Sequence, residues 1–273
     1  MLLNKNYFSF QTPIIMGVCN VTIDSFSDGK KSFKTDQALR HINIMNKQGA
    51  SIIDIGAEST RPGSDPISYQ KEIKKLAPIL KKIPKDKFII SIDTNKIETQ
   101  EFALQQGAHI INDVFGGSED LFLLSKKYKN GLVLMHTPGP PKTMQSMTHI
   151  YKNALYDIKK IFQKKVKALE KYKISSKKVW LDPGIGFGKN LQQNLLLIKN
   201  IKKLKIGKYG LMLGSSRKSW ISKVDNSLVN QRLGGSLASV LYCLDQGVDI
   251  FRVHDVQETN QAIKIFNKIK CSL

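Results

Sequence analysis

Polar residues that can do chemistry follow most of the short apolar runs of this 273-residue chain. Three of them, Asp93, Asn112 and Asp182, supply two carboxylate acceptors and an amide that both donates and accepts hydrogen bonds. Such a set suits a flat heteroaromatic ring that carries an N–H beside an amino group. The alternative for each aspartate is a helix N-cap or an ordinary loop position, which is the commoner role of a single Asp.

A second group of residues at similar positions is cationic or proton-donating. Arg61, Lys218, Arg252 and His254 suit a phosphate or carboxylate, although each could equally form a structural ion pair. Asn20 adds a neutral oxygen, a reasonable ligand for Mg²⁺ that is otherwise held by water and substrate phosphates. Further polar residues that follow apolar runs are Glu58, Thr60, Asp113, His136, Ser216, Arg217 and Asp255.

Three glycines alternate along residues 181–189, directly after the apolar run 179–181. This stretch is either an ordinary turn or a loop whose backbone lets a ligand approach closely. Two familiar phosphate-binding motifs fail on spacing. A P-loop needs glycine where Pro183 stands and Ser or Thr where Asn190 stands, and a dinucleotide fingerprint needs glycine where Lys189 stands. Phe187, at the tip of the stretch, offers an aromatic face or simply packs.

The apolar runs alternate with amphipathic helical patterns, which is typical of α/β proteins with a parallel sheet. The predicted strands lie at 14–18, 51–55, 88–92, 109–111, 132–135, 178–181, 210–213 and 249–253. Eight strands alternating with helices predict a (β/α)₈ TIM barrel, with a doubly wound open sheet as the alternative. We expect a single domain, residues 1–273. In a barrel all strand ends open on one face, so the polar residues would converge there.

Local signals place the helices between these strands. Glutamine and glycine followed by a short apolar strand recur at 48–52, 106–110 and 246–250, where each glycine is expected to end a helix. Thr35 is predicted to be the N-cap of the first helix. The clearest apolar stripe consists of Leu155, Ile158, Phe162, Val166 and Leu169, with lysines on the opposite face. Residues 1–12 favour a strand or a short hairpin.

The chain is strongly basic, with 43 Lys+Arg against 22 Asp+Glu and a net charge of +21. The lysines are scattered along predicted helices, without a basic arm or a patch interleaved with aromatic residues, so no nucleic-acid partner is predicted.

Three cysteines without C-x-x-C spacing fit a reducing compartment and imply no zinc site. No stretch has the pattern of a membrane span or a signal peptide, so we expect a cytoplasmic protein with no membrane partner.

The motifs of the chain, taken in order, resemble those of the dihydropteroate synthase family. They lie at 16–22 with 24–29, 54–56 with 58–63, 91–94, 111–114, 135–136, 181–189, 216–219 and 252–256. The resemblance runs from about residue 13 to residue 260, and the joint set is far more specific than any one motif. That family has a (β/α)₈ barrel, which agrees with the independent strand count.

The resemblance implies an enzyme of folate synthesis that joins 4-aminobenzoate to (7,8-dihydropterin-6-yl)methyl diphosphate and releases diphosphate. By motif, the residues implied for the pterin diphosphate are Thr60, Asp93, Asn112, Met135, Asp182, Phe187, Lys218, Arg252 and His254, of which Asp93, Asp182, Lys218, Arg252 and His254 are implied to be catalytic. Those implied for the aminobenzoate are Phe26, Arg61, Pro62 and Ser219. Asn20 would bind the cofactor Mg²⁺, and a homodimer is expected.

A dissociative displacement is the expected mechanism: diphosphate departs, and the aniline nitrogen then attacks the cationic carbon behind loops that exclude water. The alternative function is that of a related barrel that binds methyltetrahydrofolate for methyl transfer, which should lack the aminobenzoate loops and the 216–219 motif.

Two departures from the family pattern are Ile23, where proline is common, and the proline-rich segment 137–142. Neither removes a residue implied for the site.

Overall fold

Eight parallel strands close into a barrel in which each strand pairs with the next and the last returns to the first. The computed structural model describes residues 13–21, 31–58, 63–85, 87 and 89–272, and for residues 31–34 the backbone alone. Its strands are β1 (Ile14–Asn20), β2 (Ile52–Gly56), β3 (Ile89–Asp93), β4 (Ile110–Asp113), β5 (Gly131–Met135), β6 (Val179–Asp182), β7 (Gly210–Leu213) and β8 (Ile250–Val253). Ile14 pairs with Ile250, so the predicted barrel is confirmed and the open sheet is wrong. That the domain covers residues 1–273 stays a prediction.

The helices lie between successive strands. They are α1 (Lys31–Lys47), α2 (Tyr69–Lys82), α3 (Ile97–Gln105), α4 (Glu119–Tyr128), α5 (Ala154–Lys171), α6 (Leu191–Lys199), α7 (Ser219–Asp225), α8 (Leu233–Asp245) and α9 (Val256–Lys270). Both α7 and α8 connect β7 to β8, where a simple barrel needs one helix. Across the described ranges, no helix combines the length and the apolar character that a membrane crossing requires.

Most predicted helix signals appear in the structure, and one is wrong. The glycines predicted to end helices, Gly49, Gly107 and Gly247, have φ of 109°, 84° and 80° and follow α1, α3 and α8. Thr35 is not an N-cap, because α1 begins four residues earlier and buries it. Threonine is accepted inside a helix, since its hydroxyl can bond a carbonyl one turn back. The strand or hairpin expected at 1–12 lies outside the described residues.

The α5 stripe is confirmed, with Ile158, Phe162, Val166 and Leu169 all buried. They belong to the large apolar core between the barrel and its helices, which also receives the outward-facing side chains of the strands. The lysines of the opposite face of α5 are mostly exposed, as expected for an amphipathic helix on the outside of a barrel.

The interior of the barrel has an apolar floor beneath a polar layer. The floor consists of Ile14, Met16, Ile52, Ile110, Val133, Trp180, Met212 and Ile250. Two residues further along four of these strands stand Asp54, Asn112, Asp182 and Arg252. Because side chains alternate along a strand with a period of two, these polar residues face the same interior, nearer the carboxyl end.

Candidate active site at the carboxyl end of the barrel

Four polar side chains form one hydrogen-bonded network across the mouth of the barrel. Arg252 in β8 donates from Nε to Asp54 Oδ2 and from Nη2 to Asp93 Oδ2, both at 2.7 Å. Asn112 in β4 donates from Nδ2 to the same Asp54 oxygen at 3.0 Å. The network therefore joins β2, β3, β4 and β8, and it brings together three residues that the sequence predicts for the site.

Asp54 is the member of this network that the sequence analysis does not name as a site residue, although it begins the 54–56 motif. Its carboxylate is fully buried and is shared between Arg252 and Asn112. A search for polar residues after the apolar runs passes over it, because Asp54 lies within β2. The signal that identifies it is its position two residues after Ile52, on the interior face of the same strand.

Three buried acceptors of this network lack a hydrogen-bond partner among the described residues. They are Asp54 Oδ1, Asp93 Oδ1 and Asn112 Oδ1. A buried polar atom without a partner destabilises a folded protein unless water or a ligand satisfies it. The mouth of the barrel thus offers carboxylate and amide oxygens to a ligand with N–H donors, as the sequence predicts.

Burial and the neighbouring charges shift the pKa values of three groups at the mouth of the barrel. Burial raises the pKa of Asp93 from its ordinary value of 3.8 to about 7, with Arg252 opposing the shift and the negative charge of Asp54 adding to it. Burial also raises the pKa of Asp182. For Arg252, burial opposes the charged form, but Asp54 and Asp93 outweigh it and raise the pKa of the guanidinium, so this cation is permanent.

The glycine-rich stretch 182–189 leaves β6 as a tight loop. Gly184, Gly186 and Gly188 have φ of 67°, 82° and 58°, in the left-handed region that favours glycine. A Cβ at Gly184 would lie 2.1 Å from His136 O, and one at Gly188 would lie 2.3 Å from Pro138 Cγ. Atoms of His136 and Pro138 therefore occupy the space that a side chain would need at these two positions. At these two positions glycine serves backbone shape and packing, which agrees with a turn, one of the two alternatives that the sequence leaves open, and not with close approach of a ligand.

Lys218 reaches this loop from the start of α7. Its Nζ donates to Ile185 O at 2.8 Å and lies 4.0 Å from the centroid of the Phe187 ring. Burial lowers the pKa of Lys218 to about 7, although the neighbouring Asp182 raises it. Buried Met135 lies beneath the loop, with Cγ 3.3 Å from the Cβ position of Gly184. Met135, Asp182, Phe187 and Lys218, which lie in or after β5, β6 and β7, therefore stand together on one side of the space at the mouth of the barrel. This space is called the chamber below.

His254 follows β8 and is held by Ser216 of the β7–α7 loop. The backbone N–H of His254 donates to Ser216 Oγ at 3.2 Å, and its ring Nδ1 lies 3.1 Å from the same oxygen. Because that oxygen already accepts one bond, its own hydrogen can be donated to Nδ1, which leaves Nε2–H of a neutral ring as the remaining donor. Burial and the charge of Arg252 lower the pKa of His254 to about 3.

Asn20, the predicted metal ligand, is half-buried at the end of β1. Its Oδ1 and the Cβ of Asp93 lie 3.5 Å and 3.4 Å from the Cβ position of Gly56, so the two side chains are neighbours. Among the described residues no three His, Cys, Asp or Glu side chains form a metal-binding group. One amide oxygen beside buried carboxylates fits Mg²⁺, which usually keeps several waters and takes its other ligands from phosphates.

Some predicted residues stand at the edge of the site or outside the described ranges. Ser219 is exposed at the first position of α7. Phe26, Thr60, Arg61 and Pro62 lie outside the described residues. Directly after the last of these, Gly63 N–H donates to Pro141 O at 3.0 Å, and Asp65 pairs with Lys142 at 2.6 Å. The proline-rich segment 137–142 therefore contacts the chain just beyond residues 59–62.

The fold and the site define a class of protein: a (β/α)₈ barrel whose strands carry, at their carboxyl ends, buried hydrogen-bond acceptors without partners beside a permanent cation. Comparison with known proteins narrows this class. The family model described as pterin binding enzyme matches residues 16–254. A dihydropteroate synthase of Escherichia coli (strain K12) is 40% identical over 256 residues, which are 93% of this chain and 90% of the relative.

Two solved structures extend the likeness to three dimensions. Xanthomonas albilineans dihydropteroate synthase with 4-aminobenzoic acid has a TM-score of 0.88 and 30% identity, covering 96% of this chain and 94% of that one. Burkholderia cenocepacia dihydropteroate synthase complexed with 7,8-dihydropteroate has a TM-score of 0.85 and 30% identity, covering 96% and 92%. The chain belongs to the pterin-binding enzyme family, as a member of its dihydropteroate synthase group.

The raised pKa of Asp93 predicts how stability depends on pH. Between about pH 4 and 7 the folded protein holds a proton on Asp93 that the unfolded chain has lost, so this carboxyl stabilises the fold below pH 4 and loses that contribution as pH rises through 7. Asp93→Asn should therefore reduce the decline in the free energy of unfolding across that window, measured by urea unfolding at a series of pH values. An unchanged slope would show that Asp93 is ionised throughout.

Proposed function

We propose that the chain joins (7,8-dihydropterin-6-yl)methyl diphosphate to 4-aminobenzoate, forming 7,8-dihydropteroate and diphosphate. The observation that carries this proposal is the pair of buried acceptors without partners, Asp93 Oδ1 and Asn112 Oδ1. A pterin presents adjacent N–H and amino donors, which would supply the missing hydrogen bonds. Relatives support the proposal, since solved dihydropteroate synthases hold 4-aminobenzoic acid and 7,8-dihydropteroate.

The two sides of the chamber would grip different edges of the pterin. Asp93 and Asn112 offer acceptors on the β3–β4 side, and Asp182 offers a buried carboxylate on the β6 side. Lys218, whose Nζ lies over the Phe187 ring, would add a donor for a ring oxygen or nitrogen. A ring held from opposite edges is fixed in orientation, so its exocyclic methylene would point toward the anion-binding residues.

Arg252 and His254 would hold the diphosphate. Arg252 directs Nε and one Nη2 hydrogen to Asp54 and Asp93, and the guanidinium has further N–H groups for an anion. His254 is neutral in the ligand-free site and would donate from Nε2. A neighbouring diphosphate would raise the pKa of His254, because negative charge favours the imidazolium, and so would make the ring a better proton donor to the leaving group.

The proposed chemical step begins with cleavage of the bond between the methylene carbon and the diphosphate oxygen. The electron pair leaves with the diphosphate, whose charge Arg252 and His254 stabilise, while Asp93 and Asp182 favour positive charge on the pterin. The aniline nitrogen then bonds to the carbon and loses a proton, which the departed diphosphate can accept. Asn20 would hold Mg²⁺, which when bound would neutralise charge on the diphosphate oxygens.

We also propose that the chain forms a homodimer through α6, α7 and α8. These helices border a groove of about 340 Å³ whose rim includes Val224 and Tyr242, which are 64% and 49% exposed. Helix α8 carries no lysine or arginine, although the chain has a net charge of +21. Two copies meeting here would therefore bury apolar surface with little charge repulsion. A cytoplasmic location stays a prediction of the sequence.

The decisive assay measures diphosphate release from the dihydropterin diphosphate after addition of 4-aminobenzoate and Mg²⁺. Asp182→Ala should lower kcat/KM by about 100-fold or more, because it removes charged hydrogen bonds to the ring. The control Asp245→Ala changes an exposed carboxylate on α8 that pairs with Lys270, and it should keep wild-type activity.

The same assay tests the metal. Chelation of Mg²⁺ should abolish diphosphate release, and the Asn20→Ala variant should need a higher Mg²⁺ concentration to reach the same rate. A wild type that transfers a methyl group from methyltetrahydrofolate and releases no diphosphate would contradict the proposal.

The order of bond changes can be tested with substituted anilines. If diphosphate departs first, the rate of the chemical step should depend only weakly on the nucleophilicity of the aniline, because nitrogen takes no part in the slow step. Single-turnover rates across a series of substituted 4-aminobenzoates measure this dependence. A steep dependence would instead indicate concerted displacement.

The homodimer predicts that a charge on the groove separates the subunits. Val224→Glu should convert a dimer to a monomer in light scattering after size-exclusion chromatography, because it would bury an unpaired carboxylate in the interface. Ile269→Glu on α9, which replaces a residue that is 68% exposed on another face, should leave the dimer intact. A monomeric wild type at micromolar concentration would overturn this part of the proposal.

A further inference from the structure

Lys189, at the end of the glycine-rich loop, is a buried lysine whose ammonium contacts backbone carbonyl groups. Only 2% of the residue is exposed. Its Nζ donates to Gly184 O at 2.9 Å and Phe187 O at 2.8 Å, and more weakly to His136 O at 3.4 Å. A lysine ammonium has three donors and no acceptor, so these three carbonyl oxygens match its full capacity.

These carbonyl groups belong to the two segments that shape the loop. Gly184 and Phe187 lie on the loop itself, and His136 directly follows β5. Left-handed glycines prevent the loop from forming a regular ladder of hydrogen bonds, so its shape depends on side-chain donors and acceptors. Asn194 Oδ1 accepts from Gly186 N–H at 2.7 Å, and Gln145 Nε2 donates to Gly186 O at 2.9 Å. Lys189 Nζ donates to the carbonyl groups of Gly184 and Phe187, which lie on either side of Gly186.

The loop in turn positions the groups that face the chamber. Ile185 O accepts from Lys218 Nζ, and the Phe187 ring lies under the same ammonium. Asp182 Oδ1 accepts from Gly184 N–H at 2.7 Å, so the carboxylate is tied to the residue whose carbonyl Lys189 holds. Lys189 therefore contacts the backbone behind Asp182, Phe187 and Lys218, and its own ammonium is directed into the loop.

We propose that Lys189 is a positioning residue that fixes the 184–187 loop and thereby sets the affinity of the chamber for the pterin. This inference deepens the proposed function and depends on it. An apolar side chain of similar length would fill the same space but could not donate to three carbonyl oxygens. Burial lowers the pKa of Lys189 to about 7, although Asp182 opposes that shift, so a buried charge is retained here at an energetic disadvantage.

The first test is Lys189→Met, which keeps the length of the side chain and removes its donors. At pH 6.5, where the wild-type ammonium is mostly protonated, the KM for the dihydropterin diphosphate should rise about tenfold or more. The KM for 4-aminobenzoate should change less than about twofold, because the loop contacts the pterin side of the chamber. A folded Lys189→Met enzyme with a wild-type KM for the pterin substrate would overturn the inference.

The second test asks whether Lys189 acts through Phe187. In a Phe187→Ala background, Lys189→Met should raise the pterin KM by a clearly smaller factor than in the wild type, because the ring that it positions is already absent. Equal factors in both backgrounds would show that the two residues act independently and would contradict the positioning role. If Lys189→Met does not fold, Lys189→Leu also lacks the donors, and a folded Lys189→Leu enzyme with a wild-type KM for the pterin substrate would overturn the inference.

Two controls separate positioning from general damage. Lys178→Met removes another lysine that donates to a backbone carbonyl, Lys129 O at 2.7 Å, at the amino end of the barrel, and should leave the pterin KM unchanged. Ile250→Val lowers stability from within the apolar floor and should likewise leave KM unchanged at matched stability. The wild type is measured in the same assay. If it is inactive, the proposed function fails, whereas an active wild type with an unaffected Lys189→Met variant rejects this inference alone.

Discussion

The bonds from Arg252 to Asp54 and Asp93 are the constraint on which the rest of the site depends. They cross the mouth of the barrel and tie β8 to β2 and β3, whereas the neighbours of β8 in the sheet are β7 and β1. A buried guanidinium is stable only where carboxylates compensate its charge, and removal of either partner would leave an uncompensated ion. The same arrangement orients Asn112, because its Nδ2 donates to the Asp54 oxygen that Arg252 also contacts. Burial raises the pKa of Asp93 against the charge of Arg252, and burial together with that charge lowers the pKa of His254.

The opposite side of the chamber is built on a different principle. There the glycine-rich loop packs against the end of β5 and is held by two lysines, Lys218 from the chamber and Lys189 from behind. Backbone carbonyl oxygens compensate both ammonium groups, whereas carboxylates compensate Arg252. A ligand between the two sides would meet the permanent charge of Arg252 on one side and Lys218, whose pKa burial lowers to about 7, on the other.

The strands were predictable because a buried parallel strand reads as a short apolar run, and every predicted strand lies within two residues of an observed one. The three glycines at helix ends were predictable because their left-handed φ favours that residue. Thr35 was not, since a threonine that could cap a helix can equally sit inside one. Asp54 was overlooked because its role depends on which face of β2 points inward, and strand ends alone do not give that orientation.

The sequence by itself determined the alternation of strands and helices, the closed barrel that it favours, and the identity of the residues at the strand ends. It could do so because those features depend on local periodicity and on the order of motifs along the chain. Tertiary structure alone decided which of these residues meet. Asp54, Asp93 and Arg252 are separated by as many as 198 positions in sequence, yet their side chains touch. In the stretch 182–189, the left-handed φ of all three glycines and the packing of Gly184 against His136 and of Gly188 against Pro138 became apparent only in the folded chain, because the atoms that exclude a side chain come from another part of the sequence.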